Sequence, residues 1–126
     1  SQLESARAVW RLQIELAEQR LTPEADIGEY SNAARTLYRT YLKLDDKDAA
    51  LNILNAAVER LPQDRHFRDE LVKLLLSAGR DVEAVEHMQW LVDRNPDDIK
   101  LRQSLEEAYR RQLNAAGESR PDVNIR

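Results

Sequence analysis

Apolar residues return along this chain at spacings of three and four, the mark of a buried stripe on a helix and not the alternation of a strand. Leu37 with Tyr41, Leu71 with Leu75, and Leu105 with Tyr109 make one set of such stripes. Ala50, Leu54 and Ala57, then Ala84, Met88 and Leu91, make a second set. Upstream, Ala6, Trp10, Ile14 and Leu16 make one more, with Trp10 expected in the core. Together the stripes predict six helices, near residues 3–20, 24–44, 47–60, 65–78, 81–94 and 98–114.

The breaks between stripes carry stop and start signals. Thr22 and Pro23 suit the N-cap and first position of the second helix, where the missing proline N–H costs no helical hydrogen bond. Gly28 is placed to bend this lengthened connection, and Gly79 falls at a turn. Pro62 and Pro96 end the helices before them, because proline lacks a donor and clashes with the preceding turn. Asp64 and Asp98 are then placed to cap the helices that follow. Ala115-Ala116-Gly117 marks the end of the last helix, so residues 115–126 are expected to form a loose tail.

Leu61-Pro62-Gln63-Asp64 returns as Asn95-Pro96-Asp97-Asp98, with the two prolines 34 residues apart. A fixed period of this length is the signature of stacked helical units. Counting from it gives units at residues 31–64 and 65–98 and the first helix of a further unit at 99–114, with no insertion or deletion. Residues 1–30 supply the second helix of an earlier unit and a lengthened connection. In this register Leu37, Leu71 and Leu105 share one position, and Tyr41, Leu75 and Tyr109 share another. Ala50 pairs with Ala84, Leu54 with Met88, and Ala57 with Leu91.

Composition agrees with an all-α chain, since only three glycines and four prolines interrupt a sequence rich in helix formers. The absence of cysteine excludes disulfides, thiolate metal sites and cysteine nucleophiles. Nineteen Lys and Arg against 23 Asp and Glu give a net charge of −4, which opposes nucleic acid unless the cations are segregated on one face. No run of about 18 apolar residues is present to cross a bilayer. The chain begins at Ser1 without an initiator Met, and periplasm and cytoplasm are both compatible with its sequence.

The pattern resembles the tetratricopeptide repeat over residues 31 to about 113. That resemblance implies a right-handed superhelix, an α-solenoid of antiparallel helix pairs, with Ala50 and Ala84 small where the helices of a pair approach most closely. The departures are Tyr38, Val72 and Glu106 where the family has a small residue, Ala34, Arg68 and Arg102 where it has a large one, and the bulky Leu91. The family's usual role implies a non-catalytic scaffold that binds a partner protein or peptide on its concave face. Carried onto this sequence, that face comprises Asn32, Arg35, Arg39, Leu42 and Lys43, then His66, Asp69, Lys73, Leu76 and Ser77, then Lys100, Gln103, Glu107, Arg110 and Arg111. Arg39 and Lys73 stand where the chaperone-binding members place a paired Asn, which argues against a carboxylate clamp of that kind. Gln89-Trp90-Leu91-Val92-Asp93-Arg94-Asn95-Pro96, followed by Leu101-Arg102 and Leu105, looks like the periplasmic repeat regions of bacterial exopolysaccharide export proteins, which recruit polysaccharide-modifying enzymes. This second resemblance favours the periplasm.

Arg35, Arg39 and Lys43 are spaced by four and so stack along one helix face, suited to an acidic peptide through bidentate guanidinium contacts. An RNA-binding repeat needs base-reading pairs at matched positions, whereas Asn32-Arg35, His66-Asp69 and Lys100-Gln103 show no such regularity. Trp90 is expected to face outward or toward the neighbouring repeat, as a candidate contact on the convex side. His66, at the surface, and His87, partly buried, fall on different helices with no ligand partner at metal spacing. No glycine-rich phosphate loop occurs, and Ser31, Ser77 and Ser104 lack the setting of a nucleophile elbow. Glu106 and Glu107 are adjacent on a helix and diverge by about 100°. No cofactor, metal or enzymatic activity is expected. An array with a lone helix at each end reads as part of a longer one, and its uncovered apolar ends are expected to associate end to end.

Overall fold

The computed structural model describes residues 1–118. They form six helices: α1 (Gln2–Glu18), α2 (Ile27–Lys43), α3 (Lys47–Arg60), α4 (Arg65–Ser77), α5 (Asp81–Arg94) and α6 (Ile99–Glu118). Among the described residues there is no strand, and the architecture is all-α and repeat-like. Two compact units divide the chain, one formed by Ser1–Phe67 and the other beginning at Arg68, so that the first turn of α4 belongs to the first unit.

The period of 34 is written into the backbone hydrogen bonds. Asp46 N–H donates to Tyr41 C=O at 2.9 Å, and Arg80 N–H donates to Leu75 C=O at 2.9 Å. Asp64 N–H donates to Leu61 C=O, and Asp98 N–H to Asn95 C=O, both at 3.0 Å. The Asp64 and Asp98 carboxylates then accept from Phe67 N–H and Leu101 N–H, both at 3.1 Å, and cap α4 and α6 as expected. At the ends of α2 and α4 the chain closes in a Schellman turn, with Asp45 (φ 59°) and Gly79 (φ 74°) in the left-handed conformation at equivalent repeat positions. Gly79 adopts this region without cost, whereas Asp45 meets its own Cβ there and places a carboxylate at the negative end of α2.

The N-terminal connection departs from the expected boundaries. Thr22 and Pro23 do not start α2: Ala25 N–H bonds Thr22 C=O at 3.2 Å in a separate turn. The helix instead begins at Ile27 with Asp26 as its N-cap, whose Oδ1 accepts from Glu29 N–H at 2.8 Å. A short acidic side chain accepts this bond and also suits the positive helix end. Gly28 lies in the first turn of α2. Arg60, from the end of α3, straps the connection by donating to Thr22 C=O at 3.2 Å and Ala25 C=O at 2.8 Å, with its guanidinium 4.6 Å from the Tyr30 ring centroid. At the other end, α6 runs through Ala115, Ala116 and Gly117 to Glu118, so the expected stop there is overturned. One glycine inside a helix costs only about 1 kcal/mol, which the preceding turns absorb. The remainder of the expected tail lies outside the described residues.

The core follows the stripes. In the first unit α1 packs on α2 and α2 on α3. Ile14, Ala17, Ala33 and Leu37 form the α1–α2 seam, flanked by Leu21, Tyr41, Leu44 and Ile53. Ala50, Leu54 and Ala57 are buried on α3, and Phe67 meets the edge of Tyr38 with ring centroids 6.5 Å apart. In the second unit α5 packs on α6, and Leu71, Leu75, Ala84, Met88, Leu91, Leu105 and Ala108 are buried. Five residues of the expected stripes are not, Ala6 and Tyr41 being half-buried. Trp10 is half-buried, Leu16 is 53% exposed and Tyr109 is 42% exposed. On α1 the inward side is set by Ile14 and Ala17, and Leu16 stands roughly 100° or more away from both. It belongs instead with Val9 and Leu12, which are also exposed and share its side of the helix.

Leu71→Ala and Leu75→Ala should each destabilise the fold by about 2–5 kcal/mol, because the resulting cavities lie at positions with no more than 1% exposure. Glu86→Ala, on the exposed side of α5, should leave the denaturant midpoint nearly unchanged. Asp45→Gly should raise stability by roughly 0.5–1 kcal/mol, measured by the same denaturant titration, as the left-handed residue loses its Cβ penalty. A lower midpoint for this variant would assign the aspartate a compensating contact.

Candidate functional site

The side of α2 that flanks the α1–α2 seam carries a row of polar residues, exposed or half-buried apart from Thr40, which is 3% exposed. Asn32, Arg35, Thr36, Arg39, Thr40 and Lys43 line an open groove of ≈ 430 Å³ there, with Gln13 of α1 on its other bank. It continues into a second, more apolar depression formed by Gln13, Leu16, Ala17, Arg20, Asn32, Ala33 and Thr36. The helical repeat sets the spacing of the cations at about 6 Å of rise per step from Arg35 to Arg39 to Lys43. Arg35 Nη2 donates to Asn32 Oδ1, one turn earlier, and the Arg39 guanidinium lies 5.8 Å from the Tyr38 ring centroid. The Thr40 hydroxyl donates to Thr36 C=O at 2.6 Å, within its own helix.

Among the described residues, no carboxylate lies within ion-pair distance of Arg35, Arg39, Lys43 or Arg20. Like charges one helical turn apart oppose helix formation by a few tenths of a kcal/mol per pair. The groove therefore holds repulsion that an anion placed among these side chains relieves. Arg80, by contrast, makes two contacts of 2.8 Å with Glu83.

Four of the residues expected to bind a partner, Asn32, Arg35, Arg39 and Lys43, are thus brought together in one groove. His66 is exposed, but its Nε2 lies 3.3 Å from the Tyr38 hydroxyl and its ring lies 5.8 Å from that of Phe67. Asp69 and Lys73 lie on α4 in the second unit, where Lys73 meets Glu70 at 3.6 Å. Lys100 and Gln103 are exposed on α6. Among the further positions carried over, Leu42 is 38% exposed, Leu76 is half-buried, and Ser77 donates to Leu74 C=O at 2.8 Å. Glu107 and Arg110 are exposed, and Arg111 Nε is 2.9 Å from Asp81 Oδ2. Sequence reasoning missed Gln13, Thr36 and Thr40. Thr36 follows a groove arginine by one residue and was legible as an outer-face position, whereas Thr40 is buried at the groove floor and Gln13 joins only because α1 lies beside α2.

A second polar cluster surrounds Trp90 on α5. Its indole is stacked between the guanidinium groups of Arg68 (4.0 Å) and Arg94 (3.7 Å), so both ring faces are covered by the chain's own arginines. That arrangement gives Trp90 a packing role within its own unit. Arg68 is 8% exposed and its Nη1 lies 3.0 Å from His87 Nδ1. This contact requires a neutral imidazole with its proton on the other nitrogen. Burial first and the neighbouring Arg68 charge second push the His87 pKa below 6.5, while Glu86 and Glu83 oppose them. Among the described residues, no group of three His, Asp or Glu side chains is placed to hold a metal ion.

No protein-family model matches the chain, and no curated protein is significantly similar to it. Among the described residues, no helix is long and apolar enough to cross a membrane.

Since His87 binds its proton less readily in the fold than in the unfolded chain, stability should decline as pH falls below 6.5 and level off once the folded histidine is also protonated. Denaturant midpoints measured across this range should show that slope, and His87→Gln should remove it. In a Trp10→Phe background, the emission of Trp90 should shift over the same range as Arg68 is displaced from its ring.

Proposed function

We propose that this chain is a non-catalytic protein-interaction scaffold, and that the groove between α1 and α2 receives an acidic segment of its partner. The observation that carries this reading is the convergence of Asn32, Arg35, Arg39 and Lys43 on one open groove with no carboxylate paired to the three cations. Arginine suits the task because its planar fork meets a carboxylate with two parallel hydrogen bonds. A scaffold also explains why the polar side chains lie along a regular helix face instead of converging on a reacting atom, as acid–base or nucleophilic catalysis requires. A competing reading, an RNA-binding helical repeat, draws on the same cations and calls for a strongly salt-dependent gel shift.

A photo-reactive amino acid placed at position 39, with position 86 as the control, identifies a protein that reaches the groove in a lysate of the source cell. The affinity of that protein, measured by calorimetry, should fall at least about ten-fold in the Arg35→Glu/Arg39→Glu double variant, with the thermal melt unchanged. Arg102→Glu, exposed on α6, should leave it unaltered. Equal labelling from position 86, or an affinity indifferent to the double variant, would move the interface to another face. A gel shift with RNA that the double variant abolishes would replace the scaffold reading with the RNA one.

A further inference from the structure

We infer that the α1–α2 groove is built for an amphipathic acidic helix of a partner, laid along the two helices with its carboxylates on α2 and its apolar side chains on α1. This rests on the scaffold reading and names the occupant of its site.

The two helices present rails of different chemistry, and of the α1 rail it is Leu16 that lines the groove. On α2, Arg35, Arg39 and Lys43 extend over eight residues, roughly 12 Å of helix rise. On α1, Val9 (54% exposed), Leu12 (55%) and Leu16 (53%) recur at spacings of three and four, forming an apolar stripe distinct from the one that holds Ile14 and Ala17 against α2. Leu16 reaches the groove itself, where it joins Ala17 and Ala33 in the apolar depression, and Gln13 and Asn32 bridge this depression to the cationic part. The occupant must therefore present negative charge on one side and leucine-sized apolar surface on the adjoining side. Neither polyanionic RNA nor a uniformly acidic coil uses the α1 rail.

Backbone chemistry selects a helix over an extended segment. Both walls of the groove are helices whose interior N–H and C=O groups are already bonded, so they offer an extended peptide no edge to pair with. A helix satisfies its own backbone and contributes only side chains. Its diameter of about 10–12 Å suits the cleft between two helices packed roughly 8–10 Å apart. Carboxylates at four-residue intervals on such a helix match the cations at the same intervals on α2.

The test uses the full chain and a fluorescein-labelled synthetic peptide of roughly five helical turns, with Glu at four-residue intervals on one stripe and Leu on a stripe about 100° away. Fluorescence anisotropy should show binding that weakens with added salt. Replacing every Glu by Lys should abolish it. Replacing the Leu residues by Ala, or placing Pro at the peptide's centre, should each weaken it by about ten-fold or more. On the protein, Arg39→Glu and Leu16→Gln should each cause a comparable loss, and Arg102→Glu, exposed on α6, none. Leu16 is exposed enough for its replacement to leave the melt unchanged, and Thr36→Glu, a second exposed groove position, should reproduce the loss.

If the Ala or Pro peptide bound as tightly as the parent, or poly-uridine RNA displaced the parent peptide from the same residues, the groove would be a bare cationic patch and the inference would be wrong. Absence of peptide binding would overturn it as well. In that case the scaffold reading stands or falls separately, on whether the cross-linked partner still depends on Arg35 and Arg39.

Discussion

Each helix of this protein holds together only by laying an apolar stripe against a neighbour. Helices of 13 to 20 residues are marginal by themselves in water, and the charged majority of each surface adds little. The side of each helix that faces inward is thereby fixed, and the turn chemistry must deliver the next stripe to it. The hydrogen bonds repeated at an interval of 34 residues do this: a left-handed residue closes the first helix of a unit, and an aspartate opens the first helix of the next. Where Asp45 stands in place of the glycine, the turn keeps its geometry despite the strain. Packing on either side decides the local conformation there.

The groove follows from the same constraint. With Ala33, Leu37 and Tyr41 committed to the seam, residues roughly half a helix away on α2 must face water, and these include Asn32, Arg39 and Lys43. A solvated helix face of mixed charge would be unremarkable in energy. The groove lining carries cations alone on a chain of net charge −4, and at Leu16 meets an apolar stripe on α1 that α2 does not cover. Charge of one sign beside uncovered apolar surface defines the chemistry of whatever lies there. The arginines around Trp90 show the contrasting outcome, in which stacking within the unit occupies the cations and the aromatic ring together.

Much of this was legible from residue spacing. The bounds of α3 and α5 agree with those expected, because an acidic or polar start, a three-four stripe and a following proline all point to the same residues. Sequence reasoning failed where local signals competed with longer-range ones. Thr22-Pro23 carries the local chemistry of a helix start, yet Asp26 takes that role, and Arg60, from 35 residues further on, bonds the Ala25 carbonyl in the intervening turn. Gly117 carries the chemistry of a helix end, yet α6 passes through it. On α1 two apolar stripes coexist, and the pattern of one helix does not say which is covered.

By itself the sequence determined the class of fold, the period of 34, the six helices and the stacking of Arg35, Arg39 and Lys43, since all of these are set by interactions spanning a few residues or by an exact internal repeat. Only the tertiary structure decided that Ile14 and Ala17 turn inward while Val9, Leu12 and Leu16 turn out, that Gln13 and Leu16 join the cations of α2 in one groove, and that Arg68 is buried between His87 and Trp90. Those outcomes depend on which surfaces meet across a seam. Burial there compares whole helix faces, and that comparison does not exist until both helices are in place.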